Sequence, residues 1–159
     1  MRILQTHADF IEYEPIQKEI ERAEDVEKKK YRQENVLILF TSVEDGDNEA
    51  VAKQAIDDVK DFLQKIKINK ILIYPFAHLS RNLAKPNAAL KILENMESYA
   101  KSLKIDTSRA PFGWNKVFNL KTKAHPLAEQ SRAYVAGETK EKIEKKVQIK
   151  KSKVQEEVL

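Results

Sequence analysis

The chain of 159 residues contains no cysteine, only three glycines and a single tryptophan. Without cysteine it can form no disulfide, no thiol nucleophile and no thiolate metal site. Gly46, Gly113 and Gly137 are too few and too far apart for a Walker phosphate loop or a dinucleotide-binding fingerprint. No apolar run approaches the length that crosses a bilayer, and the first residues show no signal-peptide pattern. These absences exclude several enzyme classes and favour the reducing cytoplasm as the location.

A strong excess of charge of one sign is also missing. The net charge is +4, and residues 136–159 hold seven lysines, five glutamates and no aromatic residue. The remaining residues, 1–135, carry 22 basic and 20 acidic side chains, whereas proteins that clamp nucleic-acid phosphates are far more basic. The composition therefore predicts one domain at residues 1–135 and a charged linker or tail at residues 136–159, as at the front of a longer protein.

Hydrophobic periodicity predicts a single α/β domain with a β-sheet core and flanking helices. Strands are expected at residues 1–6, 10–14, 36–43, 68–74 and 117–122. Amphipathic helices are expected at residues 49–67, capped by Asp47 or Asn48, and at residues 86–103, where Pro86 suits the first turn.

Two other segments are interpreted from their composition. Residues 18–35 are dense in charges of both signs and have few apolar positions, which predicts an exposed connection. Residues 126–135 begin with a proline and are expected to form a short helix.

Three further segments collect the side chains that carry chemistry. They read Tyr-Pro-Phe-Ala-His-Leu-Ser at residues 74–80, Ala-Pro-Phe-Gly-Trp-Asn-Lys at residues 110–116 and His-Pro-Leu-Ala-Glu at residues 125–129. Each adjoins a predicted strand or helix, where rigid scaffolds usually place functional groups. For any one segment taken alone, proline punctuation and aromatic core packing are the alternative interpretation.

Considered singly, the candidate residues leave alternatives open. Ser80 follows His78 by two residues and is either a nucleophile or a turn cap, and no Gly-x-Ser-x-Gly elbow is present. His7, His78 and His125 could bind zinc with a carboxylate, but none has the local spacing of metal ligands. Lys116 is either a surface lysine or a hydrogen-bond donor to a negative charge that develops during a reaction.

In combination, the three segments resemble the N-terminal editing domain of archaeal threonyl-tRNA synthetases. Leu-Ala-Lys-Pro at residues 83–86, Glu-x-Ser-Arg at residues 129–132 and Met-Arg-Ile-Leu at residues 1–4 extend the resemblance, which covers residues 1–135 in order. It implies a compact α/β fold similar to that of D-aminoacyl-tRNA deacylases, a homodimer, and proofreading hydrolysis of the ester in seryl-tRNA mischarged on threonine tRNA. It implies no metal and no cofactor.

The resemblance also implies roles for particular residues. Lys116 and His78 are the implied catalytic residues, with Lys116 at the ribose hydroxyl or the attacking water and His78 and Glu129 orienting the ribose and the amino acid. The free 2′-hydroxyl of the terminal ribose is implied to assist the attack. The implied substrate-binding residues are Val43, Pro75, Phe76, Ala77, Phe112, Gly113, Trp114, Asn115 and Glu129.

Two alternative functions are left open, together with the partners. A related hydrolase could act on D-aminoacyl-tRNA, or a degenerate domain could serve as a non-catalytic tRNA-docking or dimerisation module. Lys116, His78 and Glu129 argue against the module, whereas Asn115 permits it, because relatives often carry an aromatic residue there. The expected partners are the acceptor end of serine-charged tRNA(Thr), a second copy of the chain, and the catalytic body of the synthetase in cis or in trans.

Overall fold

A computed structural model describes residues 1–138 of the chain, so most of the predicted linker, residues 139–159, lies outside the described residues. The strands are β1 (Arg2–Lys18), β2 (Tyr31–Ser42), β3 (Lys70–Pro75), β4 (Asp106–Arg109), β5 (Trp114–Thr122) and β6 (Glu129–Ala133). The helices are α1 (Glu49–Ile66), after β2, and α2 (Pro86–Ser102), after β3, and a 3-10 turn covers Ala77–Leu79. Neither helix is long and apolar enough to cross a membrane, within the residues that the structure describes.

The strands form one mixed sheet in the order β4-β3-β2-β1-β5. Strands β2, β3 and β4 are parallel, whereas β1 is antiparallel to β2, β5 and β6. With 17 residues, β1 is long enough to pair with β6 along its first part and with β5 along its second. Its register shifts between Ala8 and Phe10 and between Pro15 and Gln17, and such bulges let a strand bend.

Successive residues of the central strands point to opposite faces of the sheet, and each face has its own apolar core. Leu37, Leu39, Ile71 and Ile73 lie in the core that includes the buried sides of α1 and α2. Ile38, Phe40, Leu72 and Tyr74 lie in the other core, with Ile11 and Tyr13 of β1. The unbroken apolar run in β2 is therefore explained by burial on both faces.

Both helices begin as their sequences predict. The side chain of Asn48, rather than that of Asp47, caps α1 by accepting a hydrogen bond from the amide of Val51 at 3.0 Å. Pro86 stands in the first turn of α2, where a missing N–H costs nothing. The helix α1 ends where Lys67 adopts a left-handed conformation with φ of 59°.

Several sequence predictions are wrong in detail. The two short strands expected before residue 15 are one continuous strand, and β4 was not predicted. The short helix expected at residues 126–135 is replaced by β6, whose backbone pairs with the free edge of β1. Ordered strand extends to Lys18 and resumes at Tyr31, so only residues 19–30 connect the two strands. We refer to residues 19–26 of this connection as the strap.

Candidate active site

The carboxyl ends of β2 and β3 meet at one edge of the sheet, because the two strands run parallel. Thr41 pairs with Pro75 there, and the amide of Phe76 extends the pairing by donating to the Thr41 carbonyl at 2.8 Å. The first turns of α2 and the loop of residues 111–114, which leads from β4 into the first residue of β5, adjoin this edge. Together these elements enclose a cavity of about 270 Å³.

The cavity wall is largely apolar, and most of the residues singled out from the sequence contribute to it. These are Val43, Pro75, Phe76, Ala77, Phe112, Gly113, Trp114 and Lys116. Val43 and Trp114 are buried, and the cavity also reaches between Ala89 and Leu93 of α2. Three distant stretches of the sequence thus meet in one concave site, as binding sites in folded domains usually require.

Of the described residues that line the cavity, Lys116 alone carries a positive charge. Its ammonium group donates to the carbonyl of Pro111 at 3.0 Å and to the carbonyl of Trp114 at 3.1 Å. It also lies 4.9 Å from the centre of the Tyr74 ring. Because an ammonium group has three N–H donors, two of them are fixed by the protein and one is available to a ligand.

The environment of Lys116 alters its protonation. Burial lowers the pKa of Lys116 to about 8, because a charged amine is poorly solvated beside apolar walls. The negative charges of Glu19 and Glu24 on the strap oppose this shift. The lysine can therefore exist in both charged and neutral forms near physiological pH, which a solvent-exposed lysine does not.

The hydroxyl groups at the cavity are bonded to the backbone of the protein. Thr41 Oγ1 donates to the carbonyl of Leu39 at 2.9 Å, and Ser42 Oγ donates to the carbonyl of Phe76. Ser80, the nucleophile considered from the sequence, donates to Glu44 at 2.6 Å and does not line the cavity. None of these three hydroxyls has a histidine as its hydrogen-bond partner, so the arrangement of an activated serine or threonine is missing from the described site.

His78, Glu129 and Asn115 do not line the Lys116 cavity. The His78 ring is exposed and packs edge-on against Phe76, with ring centres 5.1 Å apart. Glu129 lies in a second, shallower hollow of about 280 Å³, which Phe76 also lines. Asn115 is exposed on β5, between two residues that do face the cavity. Phe76 is therefore the residue common to the Lys116 cavity and to the surroundings of His78 and Glu129.

The chain matches known editing domains along most of its length. Residues 1–134 match the family model described as the archaea-specific editing domain of threonyl-tRNA synthetase. The chain belongs to this family. It is 47% identical over 140 residues to a threonine–tRNA ligase of Nitrosopumilus maritimus, covering 87% of this chain and 22% of that protein. It is 42% identical over 144 residues to the threonine–tRNA ligase editing subunit of Saccharolobus solfataricus, covering 91% of this chain and 37% of that protein.

The comparison of structures supports the fold of this editing domain. The solved structure of the c-Myc DNA unwinding element binding protein has a TM-score of 0.64 to it at 6% identity, covering 86% of this chain and all of the other. The predicted fold class, an α/β domain of the D-aminoacyl-tRNA deacylase type, is confirmed. So is the prediction that the chain is an aminoacyl-tRNA ester hydrolase of the editing kind.

Two of the three histidines of the editing domain form a pair remote from Lys116. His7 Nδ1 lies 2.9 Å from His125 Nε2, and His7 Nε2 lies 3.0 Å from Asn35 Oδ1. The amide of Leu127 donates to His125 Nδ1 at 3.2 Å. Within residues 1–138 no group of three or more His, Asp or Glu side chains is placed to hold a metal ion. The two rings thus bind each other, the side chain of Asn35 and the backbone amide of Leu127.

The contribution of the strap to the site was not predicted from the sequence. Glu19 and Ile20 line the cavity, and Glu24 contacts the loop of residues 111–114. The mixed charge of residues 18–35 is typical of a solvated connection. Only the apolar residues Ile20 and Ala23, three positions apart, indicate a packed segment.

Proposed function

We propose that this editing domain hydrolyses the ester bond of L-seryl-tRNA(Thr) and spares L-threonyl-tRNA(Thr). The observation that carries the proposal is the cavity itself, which is largely apolar and whose lining includes the half-buried Lys116. Serine is threonine without a methyl group, and loss of one methyl changes binding by only about 1–3 kcal/mol. A synthetic site therefore cannot reject serine well, and a second site that excludes threonine by size solves the problem.

The wall of the cavity supports discrimination by size. Val43, Phe76, Ala77 and Phe112 come from three separate loops and strand ends, and all line the same space as Lys116. Serine and threonine share the hydroxyl and differ by one methyl group, and apolar walls of this kind can resist that extra methyl group by close packing. We assign these four residues to the exclusion of threonine.

Because the described residues of the site include no activated nucleophile, we favour a mechanism in which water attacks with help from the substrate. The free 2′-hydroxyl of the terminal ribose adjoins the ester and can orient or activate the water. The third N–H donor of Lys116 is suited to hold that hydroxyl or the water, and to stabilise negative charge on the tetrahedral intermediate. The ester C–O bond then breaks, giving free serine and tRNA with its ribose hydroxyl restored.

We assign the remaining residues along the route of the substrate. His78 and Glu129 lie on the parts of the surface that adjoin Phe76, and we propose that they orient the ribose and the amino acid. Pro75, Gly113 and Trp114 would hold the terminal adenosine, and Asn115 would contact it at the rim. The partner is then the acceptor end of tRNA(Thr), and the compartment the cytoplasm.

The organisation of the longer protein is a further part of the proposal. The chain spans about a quarter of the length of the curated ligases that it matches. We propose residues 1–135 as the editing domain, in agreement with the family match to residues 1–134, and residues 136–159 as a charged linker. The catalytic body of the synthetase would then work with this domain in cis or in trans.

Deacylation of Ser-tRNA(Thr) and Thr-tRNA(Thr), measured side by side with a chelator present, tests the proposal. We expect rapid loss of serine and retention of threonine. Replacing the terminal 2′-hydroxyl with hydrogen should slow the reaction more than any single side-chain substitution. Equal hydrolysis of both substrates would refute the size filter. Hydrolysis of neither would instead favour a D-amino-acid substrate, to be tested next, or a docking module.

A further inference from the structure

The strap is bound to the loop of residues 111–114 by an unusually dense set of contacts, centred on Glu24. Both carboxylate oxygens of Glu24 face the guanidinium group of Arg109, one contact being Nη2 at 3.0 Å. The third guanidinium nitrogen of Arg109, Nε, donates to Glu97 of α2 at 2.9 Å. The Arg109 side chain is only 12% exposed. Forked pairs of this kind fix geometry in a way that a single ion contact does not.

Glu24 also binds the loop directly. Its carboxylate accepts a hydrogen bond from the amide of Phe112 at 2.9 Å, and its own amide donates to the Phe112 carbonyl at 3.0 Å. Its carbonyl accepts from the indole N–H of Trp114 at 2.6 Å. The adjacent contact runs from the amide of Glu19 to the carbonyl of Gly113 at 2.8 Å. One residue of the strap thus holds both sides of the loop.

The loop, in turn, holds the lysine. The carbonyls of Pro111 and Trp114, which bracket the segment bound by Glu24, are the two acceptors of the Lys116 ammonium group. A displacement of the loop would move both acceptors together, because Phe112 and Gly113 connect them. A contiguous series of contacts therefore runs from Glu97 through Arg109 and Glu24 to the loop and the ammonium group.

We infer that Glu24 and Arg109 form a positioning pair, which holds the 111–114 loop so that its carbonyls fix the Lys116 ammonium group in the cavity. The inference rests on the proposed role of Lys116 in deacylation. Neither residue lines the Lys116 cavity, so they act through the loop and not on the substrate. The negative charge of Glu24 also favours the charged form of Lys116.

The variant Glu24→Gln tests this pair in the full chain. Glutamine keeps an oxygen for the Phe112 amide, but its amino group faces the donors of Arg109, so the forked pair is lost. The matched control is Glu12→Gln, which removes a carboxylate from an ion pair with Arg32 away from the cavity. Two quantities are compared: the exchange of the Lys116 ammonium protons with water, by nitrogen-15 NMR at pH 6, and kcat and KM for seryl-tRNA deacylation.

We expect ammonium exchange at least about tenfold faster in Glu24→Gln, and kcat lower by about tenfold with KM changed less than about twofold. Glu12→Gln should match the wild type in both. If the Lys116 ammonium protons of a folded Glu24→Gln protein exchange at the wild-type rate, the inference is overturned. If that variant does not fold, Arg109→Lys serves instead, since it keeps the charge but loses the fork, and unchanged exchange would again overturn it. A wild type that fails to deacylate seryl-tRNA refutes the proposed function, whereas the exchange measurement still decides the positioning pair.

Discussion

The ammonium group of Lys116 is held by two carbonyls and lies near the face of an aromatic ring. Holding a charge in this way costs folding free energy, because burial disfavours the charged form. The same arrangement leaves one N–H donor available to a ligand in the cavity. Loss of stability at a residue that positions a substrate is a common feature of enzyme sites.

The variant Lys116→Met should therefore lose activity while its folding improves relative to the wild type at neutral pH. The pKa of Lys116 is lowered from its usual 10.5 to about 8, so the folded state favours the neutral amine. Its contribution to stability is full above pH 10.5 and is lost as the pH falls to 8. The free energy of unfolding of the wild type, minus that of Lys116→Met, should rise by on the order of 3 kcal/mol over that interval.

Urea unfolding at several pH values measures this difference, and deacylation assays follow the same titration. If the charged form is the active one, the wild-type rate above the uncatalysed rate should decline as the pH rises through about 8. The slow residual rate of Lys116→Met should show no such decline. A difference in unfolding free energy that is independent of pH would contradict the assignment of a lowered pKa to this lysine.

Gly113 provides a second test at the scale of a residue. Its φ is +85°, and a Cβ atom there would lie 2.8 Å from the Cα atom of Ala23 on the strap. Gly46 has a similar φ of +88°, but a Cβ atom there would meet nothing within 4 Å. Both Gly113→Ala and Gly46→Ala should cost about 1–2 kcal/mol for the left-handed backbone. Only Gly113→Ala should lose about 1–3 kcal/mol more stability, because its new methyl group overpacks against the strap.

Denaturant unfolding of the two glycine variants gives the comparison, since the backbone cost cancels in their difference. The extra loss in Gly113→Ala should be accompanied by slower deacylation, because the strap and the 111–114 loop must separate to admit the methyl group. Equal losses of stability in the two variants would show that the strap yields freely. That outcome would also weaken the case for a rigid loop around Lys116.

At the scale of elements, the sequence predicts most clearly the parts whose pattern is repeated. The helices α1 and α2 and the buried strands β2 and β3 follow from apolar periodicity and capping residues such as Asn48 and Pro86. The two motifs with Pro-Phe identified seven of the residues that line the cavity, because strand ends gather at one edge of the sheet. The resemblance to the family supplied the activity, which periodicity could not.

Other elements depend on partners that are distant in the sequence. Residues 129–133 have a composition that favours a helix, yet they form β6 because β1 offers them a free edge. The strap has no periodicity, and its order comes from Glu24 binding a loop some 88 positions away. Tertiary contacts of this kind override local preference, so local patterns did not reveal them.

The loop that leads into β6 gives a prediction about pH. Because the Leu127 amide donates to His125 Nδ1, the His125 proton lies on Nε2 and points at His7 Nδ1, and the His7 proton then points at Asn35. This series of hydrogen bonds requires both imidazole rings to be neutral. Burial lowers the pKa of His7, and the nearby charge of Lys123 acts in the same direction, whereas Asn35 and Asp9 oppose it.

The stability that His7 contributes is thus complete above about pH 6.5 and is lost as the pH falls further. The matched variant is His7→Gln, since a glutamine can accept from His125 and donate to Asn35 but does not titrate. Between pH 7.5 and pH 5.5 the wild type should lose stability relative to His7→Gln in thermal or urea unfolding. If the difference in unfolding free energy between the wild type and His7→Gln stays constant over this range, the histidine pair does not resist protonation.

At the scale of the whole molecule, the sheet ends at β5, a strand of nine residues that has β1 on one side only. Two of its apolar side chains are exposed, Val117 at 63% and Phe118 at 40%. A long edge strand with apolar residues is a surface that proteins usually cover. The family resemblance implies a homodimer, and we propose that a second copy of the chain covers this edge.

Light scattering after size exclusion measures the mass directly, and we expect twice the 18.4 kDa of one chain. A lysine on β5 should oppose pairing of the two edges by charge repulsion and desolvation, so Val117→Lys should shift the mass toward the monomer. Val135→Lys is the control, because Val135 is also half exposed, at 49%, but lies outside β5. A monomeric wild type, or a Val117→Lys variant that stays dimeric at the same concentration, would exclude this edge as the interface. Because Trp114 and Lys116 also lie on β5, a monomeric Val117→Lys protein shows in addition whether deacylation depends on pairing at this strand.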